Sequence, residues 1–446
     1  MKYVLVIGDG MADDPLMELD GKTPLQYADI PTFDKLAGDG VFGNVVTIPD
    51  GLQAGSDTAI LSIFGCDPRE YFSGRAPLEA AATDIVLSPG DVAYRCNMIS
   101  ISDDDVPFEK KKILSHSAGS IGGAESNALV SALFDSPLFK ETAEKAGIEI
   151  YPGSSFRHLA VQRVANVDRG TVLLSTLCHE RVDRGTILLS TLCHENRPPV
   201  TPVNSGQTLT PPHDHLDEEL GLYLPCGDEN ASVLEKLIRL SYEILNNHPI
   251  NIMRRDEGKL PANCIWFWAE GTAVELPDFS KRYGKTGGIV SAVPLCRGIG
   301  SLIGLEKIIV EGATGELNTN YEGKVDAAVE SLRKHDFTAI HVEAPDECTH
   351  NGDLKGKIQA IEWIDSRVLA PIIKKLQEDG TEFRMLVMTD HRTLLSTRGH
   401  DSGPVPYVLY DSRECNNTGL CFNEKDAVRG EFVKAGTELM DLLFEA

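Results

Sequence analysis

The sequence predicts an α/β protein: a mainly parallel sheet assembled from both ends of the chain, interrupted by an inserted, smaller α+β domain. Three observations carry this. Short apolar runs that stop at an aspartate recur near residues 3, 338 and 383. A helical stretch lies between the last two of them. The first run is separated from its counterparts by a long middle segment of different composition.

The runs are Tyr3 to Asp9 (Tyr-Val-Leu-Val-Ile-Gly-Asp), Thr338 to Val342 running on to Asp346, and Phe383 to Asp390. Continuous apolarity over this length reads as a strand buried on both faces, the signature of a parallel sheet. Between the second and third runs, Ile358, Ile361, Ile364, Val368, Leu369, Ile372 and Ile373 recur at helical spacing over Asp353 to Gln377, and Gly380 ends the pattern. Strand, helix, strand is a crossover unit, so the aspartates should emerge together at the carboxyl edge of one sheet, where open α/β folds bind ligands. The expected domains are therefore 1–80 with 281–446, which form the discontinuous catalytic domain, and 81–280, the insertion. The middle carries polar loops (Ser102 to Asp105, Arg197 to Gly206), the segment Thr210-Pro211-Pro212, and helical patterns over Ser126 to Ala146 and Ser232 to Asn246.

Composition narrows the functional classes. The chain has 446 residues, with 42 Lys and Arg against 67 Asp and Glu, a formal charge of -25. Nucleic-acid and anionic-membrane binding need a basic excess, so neither partner is expected. With 42% apolar and 24% charged residues the chain is of globular type, and its length suits about two to three domains. No apolar run approaches the roughly 18 residues of a membrane span. The apolar start after Lys2 is too short for a secretory signal, so the expected location is the cytoplasm. Ten Cys occur without C-x-x-C spacing, which suits thiols in a reducing compartment.

Within the insertion, Val167 to Arg181 is followed at once by Val182 to Asn196, a copy with two changes. Cys178, His179, Cys193 and His194 have the types of a Cys2His2 zinc set. Copying one Cys-His pair produces the same quartet without any ligand role, however, and neighbours on a strand point to opposite faces. Duplication is the favoured reading.

Asp9 sits in Gly8-Asp9-Gly10, where flanking glycines permit close approach of an ion. Asp346 is followed at i+4 by His350, Asp390 by His391, and His400 lies nine positions further on. Carboxylate oxygens mixed with imidazole nitrogens suit Mn2+, Zn2+ or Co2+ better than Ca2+. Ser56, after Gly55, opens a short apolar-faced helix. It reads either as a plain N-cap or as a nucleophile, since a helix N-terminus favours a phosphate oxygen or an alkoxide and a bound metal could activate the hydroxyl without a His base. A P-loop is excluded, because Gly21-Lys22-Thr23 and Gly284-Lys285-Thr286 have Leu16 and Phe279 where the earlier glycine belongs. Neither a Rossmann fingerprint after the first strand nor a Gly-x-Ser-x-Gly elbow is present.

Taken in order, Gly8-Asp9-Gly10-Met11-Ala12-Asp13, Gly55-Ser56-Asp57, Gly74 to Ala80 (Gly-Arg-Ala-Pro-Leu-Glu-Ala), Tyr94-Arg95-Cys96-Asn97, Phe156-Arg157-His158-Leu159, Thr210 to Asp214, Ala344 to Asp353 and Thr389-Asp390-His391 with His400 and Pro404-Val405-Pro406 form a series. The series resembles the archaeal-type cofactor-independent phosphoglycerate mutases of the alkaline phosphatase superfamily, and covers nearly the whole chain. The resemblance implies a three-layer alkaline-phosphatase-like core. It also implies two divalent ions, of manganese type with Zn2+, Co2+ or Mg2+ as alternatives: one on Asp346, His350 and His400, the other on Asp9, Ser56, Asp390 and His391. Ser56 would take the phosphoryl group of 3-phosphoglycerate as phosphoserine, and the bound glycerate would recover it on its 2-hydroxyl, with no 2,3-bisphosphoglycerate required. The substrate is a small phosphorylated anion. Arg157, Arg75, Arg95, His116, His213 and Lys285 are candidates for gripping its carboxylate and phosphate. Asp214 is a candidate to orient a base or shuttle a proton, or else caps a turn. The duplicated segment and Arg392, a cation directly after Asp390-His391, depart from the family pattern. Some bacterial relatives have been proposed to be homoserine kinases, so a phosphotransferase or phosphatase acting on another substrate is the alternative the resemblance carries.

Overall fold

The computed structural model of the chain describes residues 1–164 and 207–445. The tandem repeat at 167–196, including the Cys178, His179, Cys193 and His194 quartet, lies outside the described residues. The chain divides into two compact units, one of Met1–Ile85 with Val274–Ala446 and one of Val86–Ala273. Strands are numbered in chain order.

The discontinuous unit is built on an eight-stranded sheet. Its strands are β1 (Lys2–Gly8), β2 (Val41–Val45), β8 (Gly287–Val290), β9 (Glu306–Ile308), β10 (Phe337–Val342), β11 (Phe383–Met388), β14 (Val405–Asp411) and β15 (Glu431–Val433). Their order is β15-β2-β14-β11-β1-β10-β8-β9. The three Asp-terminated runs are adjacent and parallel, with Ile7 opposite both His341 and Met388. β14 alone runs antiparallel to its neighbours β11 and β2. Consecutive strand side chains point to opposite faces, so burial of every residue from Tyr3 to Gly8 means that both faces are covered. The core joins these strands to helical residues such as Phe33, Ile299, Val325 and Ile361.

Three expectations are corrected in detail. Asp346 is not at a strand end: β10 stops at Val342, and Asp346 lies in the first turn of the helix Ala344–His350. The stretch Asp353 to Gln377 is two α-helices, Leu354–Ile364 and Ala370–Glu378, joined by a π-helical turn at Asp365–Leu369. Pro371 has no N–H to continue the i to i−4 ladder, which is a common cause of such a break. The turn also releases the buried Asp365 carboxylate, whose Oδ2 accepts from the N–H groups of Thr32 (2.8 Å) and Phe33 (2.9 Å) at the start of the helix Pro31–Asp39. In the insertion, Pro137 likewise divides the Ser126 to Ala146 pattern into Gly123–Asp135 and Pro137–Ala146.

The continuous unit is α+β. An antiparallel sheet contains β3 (Val92–Ile101), β4 (Ile113–Ser115), β5 (Ile148–Tyr151), β6 (Arg157–Gln162) and β7 (Cys264–Thr272). Its order is β4-β3-β6-β5, and β7 also pairs with β3. Leu129, Leu133, Leu234, Leu237 and Ile238 from its helices pack with Phe267, Trp266 and Tyr94 of the sheet. Among the described residues no helix is long and apolar enough to cross a membrane.

Candidate active site

The parallel register of β1, β10 and β11 delivers Asp9, the helix Ala344–His350 and Asp390 to one carboxyl edge. A helix puts residues four apart on one face, so His350 Nε2 sits 3.1 Å from Asp346 Oδ2. β12 (Arg392–Leu394) and β13 (Gly399–Asp401) form a small hairpin pairing Thr393 with His400. This brings His400 Nε2 within 3.5 Å of Asp346 Oδ1 and 3.0 Å of His350 Nε2. On the other side, His391 Nε2 is 3.3 Å from both Asp9 Oδ1 and Asp390 Oδ2. Ser56 Oγ lies 3.0 Å from His391 Nε2 and 3.4 Å from Asp9 Oδ2. All seven expected metal-site residues therefore meet. Ser56 is the first residue of the helix Ser56–Ile63, one position past the N-cap Gly55, and its hydroxyl faces Asp9 and His391.

Hydrogen bonding fixes where the lone pairs point. His350 Nδ1 faces the Arg398 carbonyl at 2.8 Å, so the proton of neutral imidazole is on Nδ1 and the lone pair is on Nε2. Thr393 Oγ1 donates to Asp346 Oδ1 (2.6 Å) and so accepts from His391 Nδ1 (3.1 Å), which again leaves the Nε2 lone pair facing inward. Two imidazole lone pairs thus converge on carboxylate oxygens in a site where Asp9 and Asp390 are 1% and 0% exposed. Asp9 Oδ1 and Asp390 Oδ2 are buried without a hydrogen-bond partner. Such an arrangement is repulsive by itself and becomes favourable around cations. The donor set fits divalent ions: the geometry groups Asp346, His350 and His400, then Asp9, Asp346 and His391, then Asp9, His341 and Asp390.

Protons compete with cations for these positions. Burial, then the charges of Asp390 and Asp346, push the Asp9 carboxyl well above its usual range. Burial also works to raise Asp346, yet hydrogen bonds from His350 and His400 hold it well below that range. The Asp346 contact pushes His350 up to about 9, so a cation entering there displaces a proton.

Arg392 does not face this cluster. Its guanidinium turns away to Asp401 Oδ1 (2.8 Å) across the hairpin and to Asp14. Arg75, at the start of the helix Arg75–Ala82, is 3.2 Å from Glu79 Oε1. Against the effect of burial, the charges of Glu79, Asp57 and Glu343 hold it above its ordinary value, and two of these acids neighbour the metal-site segments in sequence.

Five of the other candidate residues, Arg95, His116, Arg157, His213 and Asp214, lie within the continuous unit. β3 places Arg95 and Asn97 on one face, opposite to the core residues Tyr94, Cys96 and Met98. Arg95 lies over the Trp268 ring at 4.8 Å, and Trp268 Nε1 donates to Asn97 Oδ1 at 3.1 Å. Asn97 Nδ2 donates to the His116 carbonyl (3.0 Å), and the His116 ring is 5.9 Å from that of His213, itself 5.1 Å from Trp268. Arg157 is the cross-strand partner of Asn97. Burial, with the charges of His213 and Arg157, pushes His116 down. Asp214 stands beside His213, Oδ1 to Nε2 3.6 Å. The cluster is cationic and aromatic, suited to an anion.

Lys285 is a correction. It precedes β8 and lies 5.2 Å over the ring of Tyr3, at the amino edge of the sheet. Six residue steps along the strand, about 20 Å at roughly 3.3 Å each, separate Tyr3 from Asp9. A parallel strand cannot present both its ends to one ligand, so Lys285 takes no part in the metal cluster. Sequence reasoning missed His341 and Thr393. The available signal for His341 was a lone polar ring in the apolar run Phe337–Val342.

The family model described as "2,3-bisphosphoglycerate-independent phosphoglycerate mutase" matches residues 37–251. A protein of that name from Methanosarcina barkeri is 40% identical over 449 residues, spanning 100% of both chains. A "probable" protein of the same name from Geobacter sulfurreducens is 38% identical, also over 100% of both. A solved structure from Pyrococcus horikoshii matches with a TM-score of 0.74 and 27% identity, covering 99% of this chain and 96% of the other.

Proposed function

The chain belongs to the 2,3-bisphosphoglycerate-independent phosphoglycerate mutases, and from that membership we propose that it interconverts 3-phosphoglycerate and 2-phosphoglycerate through a phosphoserine on Ser56. The observation that carries the reading is the convergence of inward-facing imidazole lone pairs and unpartnered buried carboxylate oxygens on the Ser56 hydroxyl. Asp346, His350 and His400 would hold one divalent ion, and Asp9, Ser56, Asp390 and His391 the other; the mixed oxygen and nitrogen donors suit Mn2+, Zn2+ or Co2+, and family membership makes Mn2+ the proposed ion. When bound, the ions neutralise phosphoryl charge and favour the ionised serine.

Ser56 Oγ, having lost its proton, attacks phosphorus and the bond to the substrate's 3-oxygen breaks, and that oxygen takes up a proton, which leaves phosphoserine and glycerate. The glycerate turns, its 2-hydroxyl gives up its proton as the 2-oxygen attacks the same phosphorus, and the bond to Ser56 Oγ breaks to restore the serine. Arg157, Arg95, His116 and His213 are assigned to the anionic groups of the glycerate, Asp214 to orientation of His213, and Arg75 to the phosphoryl oxygens. Glycerate must stay bound between the two steps, since its loss would let water complete a phosphatase reaction. The cytoplasm is the proposed location, because such a polyanion does not cross hydrocarbon unaided.

The test is to incubate Mn2+-loaded protein with 3-phosphoglycerate, without 2,3-bisphosphoglycerate, and follow 2-phosphoglycerate. Formation of product by the native protein and its loss in Ser56→Ala, with metal content only partly reduced, is the expected result. Absence of product, with free phosphate or phosphohomoserine formed from other substrates, overturns it.

A further inference from the structure

His341 is 1% exposed in the middle of the sheet, where a polar ring needs a reason. Its Nε2 lies 2.9 Å from Asp9 Oδ2 and its Nδ1 3.2 Å from Ser291 Oγ. Ser291 follows β8 directly, and its Oγ accepts the Val293 N–H at 3.0 Å. The serine's own proton is then available for His341 Nδ1, a better acceptor than the neighbouring Cys296 thiol. With Nδ1 accepting, the proton of the neutral ring is on Nε2 and points at Asp9. The chain of bonds therefore runs in one direction, from the Val293 backbone through Ser291 and His341 to the carboxylate. It occupies Asp9 Oδ2 and leaves Asp9 Oδ1, the oxygen with no partner, on the side of His391.

We infer that His341 is a positioning residue for the serine-side metal site: it holds Asp9 by Oδ2 so that Oδ1 is presented to the ion beside Ser56. This rests on the two-ion mutase reading above. His341 is also close enough to Asp9 and Asp390 to be grouped with them as a potential ligand set. The bond chain from Ser291 puts the ring proton on Nε2, however, so that atom donates to Oδ2 and offers no lone pair to an ion. A partner of this kind fixes the orientation and basicity of a ligand, and its loss typically costs about 10–100-fold in metal affinity.

The experiment compares the full-length parent with His341→Leu, His341→Gln and Ser291→Ala. It measures Mn2+ affinity by competition with a chelating indicator, ions bound at saturation, and kcat and KM for 3-phosphoglycerate. His341→Leu is expected to bind the weaker of its two ions about 10–100-fold less tightly, with kcat reduced and KM little changed. His341→Gln, which keeps an N–H donor, should recover most of the affinity and bind two ions at saturation. Ser291→Ala, which frees the tautomer, should fall between them and serves if the leucine variant does not fold. Parent-like affinity in both His341→Leu and Ser291→Ala overturns the inference. So does one ion lost at saturation from His341→Gln, which would make His341 a ligand. A parent that binds two ions but forms no 2-phosphoglycerate removes the mutase reading instead, and the affinity comparison still decides the role of His341.

Discussion

Asp13 and Lys357 form an ion pair with both side chains 0% exposed, Oδ2 to Nζ 2.8 Å, across 344 residues of sequence. Lys357 Nζ also donates to the Thr393 carbonyl (2.7 Å), and Asp13 Oδ2 accepts the Leu395 N–H (3.2 Å). The pair thus joins the loop after β1 to the segment that carries His391. Removing one member leaves a buried charge without its partner, which costs about 3–5 kcal/mol. Lys357→Met should lose stability on that scale in denaturant unfolding, and Asp13→Asn with Lys357→Met should lose less than the sum of the single changes. Additive losses would mean that the pair is not coupled.

Arg392 holds the hairpin that presents His400, through Asp401 and Asp14. These contacts are partly exposed, so Arg392→Ala should cost only about 1 kcal/mol of stability. The consequence for the site is larger. Looser placement of His400 is expected to weaken Mn2+ binding by roughly 10-fold, readable by chelator competition. Unchanged metal affinity would show that the hairpin needs no staple.

His158 gives a pH dependence away from the metal site. Its Nδ1 accepts the Gly153 N–H (2.9 Å) and its Nε2 meets Ser126 Oγ (2.7 Å) in a buried setting, and burial pushes it down from 6.5 to about 4. Between those values the unfolded chain binds a proton that the folded chain refuses. The contribution is therefore complete above pH 6.5 and lost as pH falls towards 4, by up to about 3 kcal/mol. Melting temperature should drop across this window in the parent, and more shallowly in His158→Gln. An identical slope in both would assign the acid sensitivity to other groups.

Arg157→Lys tests the anion cluster. A lysine retains the charge but not the two-pronged donor geometry. KM for phosphoglycerate should rise about 10-fold, roughly the loss of one charged hydrogen bond, while thermal stability stays near the parent's because Arg157 is exposed. A fall in kcat alone would place the residue at the reacting group.

Much of this was legible in sequence for a physical reason. Strands buried on both faces need uninterrupted apolar runs, so β1, β10 and β11 stand out, and ligands at their ends follow from parallel topology. Asp9, Asp390 and His391 were readable in this way; Asp346 was read as a strand end, and the first turn of a helix that it occupies was not. The antiparallel pairing of β14 with β2 was not, because it depends on contacts between segments over 350 residues apart. Lys285 was misread because a cation's suitability for an anion says nothing about which edge of the sheet it lies at. His341, Thr393 and Lys357 act through hydrogen bonds to distant partners, and no local pattern encodes those partners.

The central position of β1 bears on how the protein is made. Its neighbours β10 and β11 end at Val342 and Met388, so once made β1 has no partner until those distant segments have left the ribosome. At about 5–20 residues per second that wait is on the order of 20–80 s. The continuous unit emerges complete in the interval and has its own core. The apolar segment Tyr3 to Ile7 meanwhile remains a bare strand, and is the stretch on which chaperone capture during translation would act.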